Sequence, residues 1–154
     1  MVLSARLARF LGRHSTIGLD TSILIYLVQD HPRYAEACTM VFSRIEDGRC
    51  RGVTSVISLL EVLVQPYRLE DDELTQKFYA LLSTYPGLWW APVTLELADR
   101  AAELRARYRF GTPDAIQVAT AVSFGATGFL GNDRALRKVR ELECATIDEL
   151  LASG

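Results

Sequence analysis

The chain has 154 residues, 49% apolar and 23% charged, with 17 Lys+Arg against 19 Asp+Glu and a formal net charge of −2. This is an ordinary globular balance, long enough for one domain with a real hydrophobic core. It excludes a disordered chain and a cationic tail that binds nucleic acid by bulk charge, but leaves room for a local basic groove.

Short β-like runs alternate with longer helical patterns along the chain. A first strand is expected at Thr16 to Asp20, followed by a helical piece from Ser22 to Val28. Pro32 opens a longer helix to about Asp47, in which Ala37, Met40, Val41, Phe42 and Ile45 recur at helical spacing, and Gly48 suits its end. Gly52 to Thr54 reads as a second strand. Ser55 can cap a helix from Val56 to about Val64, which Pro66 is expected to end. A helix from Glu70 to Thr84 starts with Glu70, Asp71, Asp72 and Glu73, acids that complement the positive end of the helix dipole.

Tyr85-Pro86-Gly87 is turn chemistry. Trp89 to Val93 reads as a third strand, and Thr94 caps a helix to about Tyr108. Gly111-Thr112-Pro113 marks another helix start, with proline at the first position, and that helix runs to about Phe124. Thr127 to Leu130 is a fourth strand, Asp133 to about Glu141 a helix, and Cys144 to Ile147 a fifth strand, with Asp148 capping a tail helix. Strands alternating with helices predict an α/β protein: a three-layer α/β/α sandwich around a mostly parallel five-stranded sheet. We divide the chain into an N-terminal extension, 1–15, and a single domain, 16–154.

Leu3, Leu7, Phe10 and Leu11 in the extension fall near helical spacing, which allows an amphipathic helix. Arg6, Arg9 and Arg13 interrupt its apolar residues, unlike the continuous apolar stretch of a signal peptide. No run approaches the roughly 20 apolar residues of a membrane span. Cys38, Cys50 and Cys144 are widely spaced, without a Cys-x-x-Cys pair, so zinc sites of usual spacing and a disulfide framework are not expected. The expected setting is cytoplasmic.

In open parallel sheets, ligands sit at the carboxyl ends of the strands. Asp20 ends the first strand. Glu61 lies in the apolar helix after the second, where burial without a partner is costly. Asp114 opens a nearly uncharged helix, and Asn132 and Asp133 follow the fourth strand. Taken singly, Asp20, Asp114 and Asp133 could be helix-start acids, and Glu61 could reach solvent or pair with an arginine. Taken together, four acids that this topology can bring to one edge would repel, and a hard divalent cation relieves that repulsion. Mg²⁺ or Mn²⁺ takes oxygen ligands and suits phosphodiester hydrolysis. His14 and His31 lie outside these segments and read as surface residues.

Four segments carry a resemblance: Leu19-Asp20-Thr21-Ser22, Thr54 to Glu61, Thr112 to Ala121, and Phe129-Leu130-Gly131-Asn132-Asp133. In this order and spacing the chain resembles PIN-domain proteins from about Ile17 to about Leu150. The resemblance implies an α/β/α fold and a Mg²⁺- or Mn²⁺-dependent ribonuclease whose catalytic and metal-binding residues are Asp20, Glu61, Asp114 and Asp133, with Ser22 and Asn132 in support. Small bacterial members of this kind are often VapC-type toxins, commonly homodimers blocked by a cognate antitoxin. The chain departs from the family at Gly131, where Thr or Ser is often found, and in the residues that precede its first strand.

An RNA substrate needs positive charge near the acids. Arg105, Arg107 and Arg109 precede Asp114, and Arg134, Arg137 and Lys138 follow Asp133. Of these, Arg105, Arg109, Arg134 and Arg137 are the named RNA-binding candidates. Trp89 and Trp90 are read as core or dimer contacts in preference to base-stacking residues. Two other readings remain: a PIN-like module that binds RNA or protein with little or no turnover, and a small phosphatase acting on a phosphomonoester. The phosphatase reading is weakened because Ser22 stands where such enzymes usually have a second Asp.

Overall fold

The computed structural model describes residues 4–152; Leu3 lies outside them. Five parallel strands form one sheet in the order β3-β2-β1-β4-β5: β1 Thr16–Leu19, β2 Arg51–Ser55, β3 Leu88–Ala91, β4 Gly128–Gly131 and β5 Glu143–Thr146. The helices are α1 Ala5–Gly12, α2 Thr21–Val28, α3 Ala35–Glu46, α4 Val56–Arg68, α5 Asp72–Ser83, α6 Leu95–Tyr108, α7 Thr112–Ser123 and α8 Ile147–Leu151. The sheet is therefore wholly parallel, and the three-layer reading holds.

Alternation along the strands sends side chains to two cores. Ile17, Leu19 and Leu130 pack with buried residues of α1 to α5 and α8, among them Leu7, Phe10, Leu24, Val41, Phe42, Val62 and Leu82. Val53 and Phe129 face the opposite way, into a second core with Leu97, Leu104, Val118 and Ala119 of α6 and α7. Gly18 permits the close approach of α7 to the sheet. A Cβ there would lie 2.5 Å from Ala121 Cβ and 2.8 Å from the Phe129 ring. The Leu7–Phe10–Leu11 face of α1 is at most 1% exposed, so this helix is seated in the first core.

Several local expectations are corrected. Helix α4 does not stop before Pro66 but runs to Arg68, with Pro66 buried inside it. Proline removes one donor, but so near the end this costs a single bond, and the chain recovers: Leu69 N–H reaches Gln65 O and Asp71 N–H reaches Pro66 O. Asp133 opens a short 3-10 turn, Arg134–Lys138, instead of a helix to Glu141, and buried Leu136 and Val139 tie that segment to the second core. Thr146, not Asp148, caps the tail helix, through a capping box with Glu149. His14 is not a surface residue. It is 8% exposed, with its ring against the backbone of Gly128. His31 is half-buried, and its Nδ1 accepts the N–H groups of Arg33 and Tyr34.

No helix among the described residues is long and apolar enough to cross a membrane. All three cysteines are free thiols, and burial pushes Cys38 and Cys144 up to about 12, which keeps them protonated and unreactive.

Candidate active site

The strand order reverses between β1 and β4, the crevice where open parallel sheets receive ligands. Asp20 leaves the carboxyl end of β1, and Asn132 and Asp133 leave that of β4. The backbone N–H of Asp20 bonds to Leu130 O at 3.0 Å, so the two strand ends meet. Asp114 sits in the first turn of α7 and Glu61 on α4, the helix that β2 feeds.

These acids act on one another. Asp20 is raised to about 6, first by burial. The neighbouring Thr21 backbone works against that rise, and the charges of Asp114, Glu61 and Asp133 add to it. Asp114 is also raised, by burial and then by Asp133 and Glu61. Asp20 occupies the position before α2 but makes no side-chain capping bond, so its carboxylate is not committed to the helix end. Asp133 does cap, accepting from Ala135 N–H at 2.9 Å, a bond that occupies one of its oxygens and orients the group. Exposed Glu61 accepts from Thr21 Oγ1 at 2.9 Å through Oε1.

Among the described residues, no group of three or more His, Cys, Asp and Glu side chains stands at metal-holding spacing. The donor chemistry nonetheless suits a hard cation. It is all oxygen, its like charges repel, and the buried Oγ of Ser22, two residues after Asp20, has no hydrogen-bond partner. Gly131 closes the floor: a Cβ there would stand 3.1 Å from Asp20 Cβ and 3.3 Å from Oδ2, so a side chain at 131 would press on the carboxylate.

Asn132 is held from both sides. Its Nδ2 donates to Tyr26 Oη at 3.0 Å, and its Oδ1 accepts Asp148 N–H at 3.2 Å. Arg105 and Arg109 line an open groove of about 600 Å³ between α6 and α7, floored by Ala101, Phe110 and Ala115 and reaching Thr112. Arg109 ends α6 in the left-handed conformation, φ 60°. Arg134 is exposed, and Arg137 pairs with Glu149 at 3.3 Å. Arg107 is held by Glu141 and Glu103. Trp89 is 49% exposed beneath the Arg51 guanidinium, and Trp90 donates to Leu82 O. Sequence reading assigned no role to Thr21, Thr54, Ser58 or Gln117, all buried beside the acids. Small polar residues inside apolar segments carry no periodic signal. The one clue was their recurrence just after Asp20, before Glu61 and after Asp114.

A PIN domain family model matches residues 17–142. Among solved structures, the chain is similar to VapBC2 from Rickettsia felis bound to a DNA fragment from their promoter (16% identity, TM-score 0.69, covering 85% of this chain and 98% of that one). It is also similar to a toxin–antitoxin complex from Klebsiella pneumoniae (23%, 0.65, 86% and 98%). A third is Mycobacterium tuberculosis VapC20, described as a sarcin–ricin loop cleaving toxin (17%, 0.63, 83% and 98%). At these identities the likeness is one of fold. No curated protein sequence matches the chain.

Proposed function

The chain belongs to the PIN-domain family, and from that premise we propose that it is a divalent-metal-dependent endoribonuclease, the toxin of a toxin–antitoxin pair. The observation that carries the reading is the gathering of Asp20, Asp114, Glu61 and Asp133 at the sheet's switch point, where burial first and the charges of the other acids next raise Asp20 to about 6.

Asp20, Asp114, Asp133 and Glu61 would hold Mg²⁺ or Mn²⁺. When bound, such an ion activates water and neutralises charge building on a phosphodiester oxygen. The residues around it have distinct tasks. Thr21 orients Glu61, Tyr26 and Asp148 hold Asn132, and Ser22, two residues after Asp20, offers an uncommitted hydroxyl. Arg105 and Arg109 on one border and Arg134 and Arg137 on the other would take phosphates of an RNA strand. A cognate antitoxin, which the likeness to toxin–antitoxin complexes supports, completes the reading, together with a homodimer and a cytoplasmic setting.

A second reading is a catalytically weak or inactive module that binds RNA or protein. Gly131, which lacks the hydroxyl often found there in the family, favours it, as does the spacing of the acids. Incubation of the purified protein with RNA in Mg²⁺, Mn²⁺ and EDTA, beside Asp20→Asn, separates the two. The ribonuclease reading expects cleavage that needs metal and is lost in Asp20→Asn. Cleavage in EDTA that survives the substitution overturns it, and binding without turnover in either metal favours the module.

A further inference from the structure

A buried network of hydroxyls and one amide lies between the three segments that carry Asp20, Glu61 and Asp114. Thr54, Ser55 and Ser58 have no exposed surface, Gln117 has 2% and Thr21 has 6%. Gln117 is three residues beyond Asp114 on α7, Thr21 follows Asp20, and Ser58 is three residues before Glu61.

The directions of the hydrogen bonds in this network follow from the Gln117 amide at one end and from two acceptor-only oxygens, Leu19 O and the Glu61 carboxylate, at the other. Its Oε1 lies 3.3 Å from the backbone nitrogen of Ser55. A backbone N–H only donates, so the amide oxygen must face Ser55 and the NH₂ group must face the other way. That NH₂ donates to Ser58 Oγ at 2.6 Å and to Thr21 Oγ1 at 3.3 Å. Each hydroxyl has one proton to pass on. Thr54 gives its proton to Leu19 O at 2.9 Å. Ser58 therefore donates to Thr54 at 2.7 Å or to Thr21 at 3.0 Å, because Thr54 and Thr21 have their own protons on Leu19 O and the Glu61 carboxylate. Thr21 is supplied by its neighbours and has its own proton for Glu61 Oε1, 2.9 Å away. From the Gln117 NH₂ group the donations run outward through the hydroxyls, and the one from Thr21 ends at Glu61.

We propose that Gln117 is a positioning residue: its amide donates to Thr21 and Ser58 and fills their acceptor sites, which leaves the Thr21 proton to Glu61 and holds that carboxylate in the orientation a divalent cation would use. The proposal deepens the ribonuclease reading and rests on it for the cation. A side chain of the same shape without donors, as in Gln117→Glu, would draw the Thr21 proton to itself and leave Glu61 without its donor. Partners that orient a metal ligand are commonly worth 10–100-fold in metal affinity or activity.

The test is Mn²⁺ titration calorimetry on the wild type, Gln117→Met, Gln117→Glu, Thr21→Val and the Thr21→Val/Gln117→Met double variant, with thermal midpoints recorded for each. Gln117→Met and Thr21→Val should each weaken Mn²⁺ binding about 10-fold or more, and the double variant no further than Thr21→Val alone, since both act through one bond. In RNA cleavage the loss should fall on kcat, with KM little changed. A folded Gln117→Met variant with wild-type Mn²⁺ affinity, or losses that add in the double variant, overturns the proposal.

NMR on the metal-free protein reads the network whether or not the chain binds Mn²⁺ or cleaves RNA. The Gln117 side-chain amide protons should exchange slowly with solvent in the wild type. The Glu61 carboxyl carbon should move in both Gln117→Met and Thr21→Val. Rapid exchange in the wild type, or an unmoved Glu61 carbon, overturns the positioning role by itself. Absent Mn²⁺ binding with an intact NMR signature overturns the ribonuclease reading, and with it the cation this proposal assigns, while the polarity of the network stands.

Discussion

The two ends of the sheet treat their acids in opposite ways. At the amino ends of β4 and β5, Glu143 is gripped by Nη2 and Nε of Arg13 at 2.7 and 3.0 Å and by His14 Nε2 at 2.6 Å. The other nitrogen of His14 meets Thr127 Oγ1 at 2.8 Å. The Arg13 side chain, above all, holds Glu143 below the usual carboxylate range. At the carboxyl ends, Asp20 and Asp114 are raised by burial and by the other acids. Where each charge has its opposite, the cluster fastens α1 to the sheet. Where like charges gather around a buried carboxylate, the protein has given up stability, and such arrangements concentrate at functional sites.

The sharpest way to break this contrast is Asp20→Asn. A carboxylate raised from 3.8 to about 6 penalises the metal-free fold at pH 7 by about 3 kcal/mol. Asp20→Asn should therefore raise unfolding stability in EDTA by about that amount while abolishing metal-dependent cleavage. Denaturant melts that do not move would show that the carboxyl edge carries no strain. In the wild type the same stabilising term is fully present below pH 3.8 and is lost as pH rises through about 6. Glu143, lowered, works the other way: its contribution is present above its ordinary 4.5 and is lost as pH falls through the depressed value. Melts of the EDTA-treated protein from pH 3 to 8 should thus show two opposed limbs, with Asp20→Asn flattening the upper one.

Metal should sharpen the contrast by relieving only one end. At a hundred times its dissociation constant, Mn²⁺ is expected to stabilise the wild type by about 2.7 kcal/mol, and chelation should reverse the gain. Differential scanning calorimetry that shows equal protection of Asp20→Asn would place the ion elsewhere.

The amino end can be broken sterically. A Cβ on Gly128 would lie 2.6 Å from the His14 ring, so Gly128→Ala should cost about 2 kcal/mol in urea unfolding. His14→Ala in the same chain should restore part of that loss. The smallest effect is expected at Arg13→Gln. This pair is half exposed, so its removal should shift the urea midpoint least of all, and less still in high salt. A loss as large as that of Gly128→Ala would mean that the exposed pair carries what we assign to buried His14.

Much of this was legible in the chain. Short β-like runs of three to five residues marked all five strands, and Ser55, Thr94 and Pro113 marked helix starts that the structure retains. The four acids stood out because each ended or interrupted an apolar segment. Pro66 misled, since a proline in a last turn costs one bond where a mid-helix proline would cost more. The 3-10 turn after Asp133 could not be foreseen, because Leu136 and Val139 fit either a helix or a turn until the second core claims them.

Local patterning by itself determined the order of elements, the parallel sheet and the acids that share an edge, since strand and helix periods and topology rules act within short stretches of chain. Only the tertiary structure decided the surroundings of each charged or polar group. His14 is buried because α1 docks over Gly128. Thr21, Ser58 and Gln117 meet because Gly18 lets α7 approach β1 while α4 passes over β2. Partners 37 to 129 residues apart select one another through burial, which no local period records.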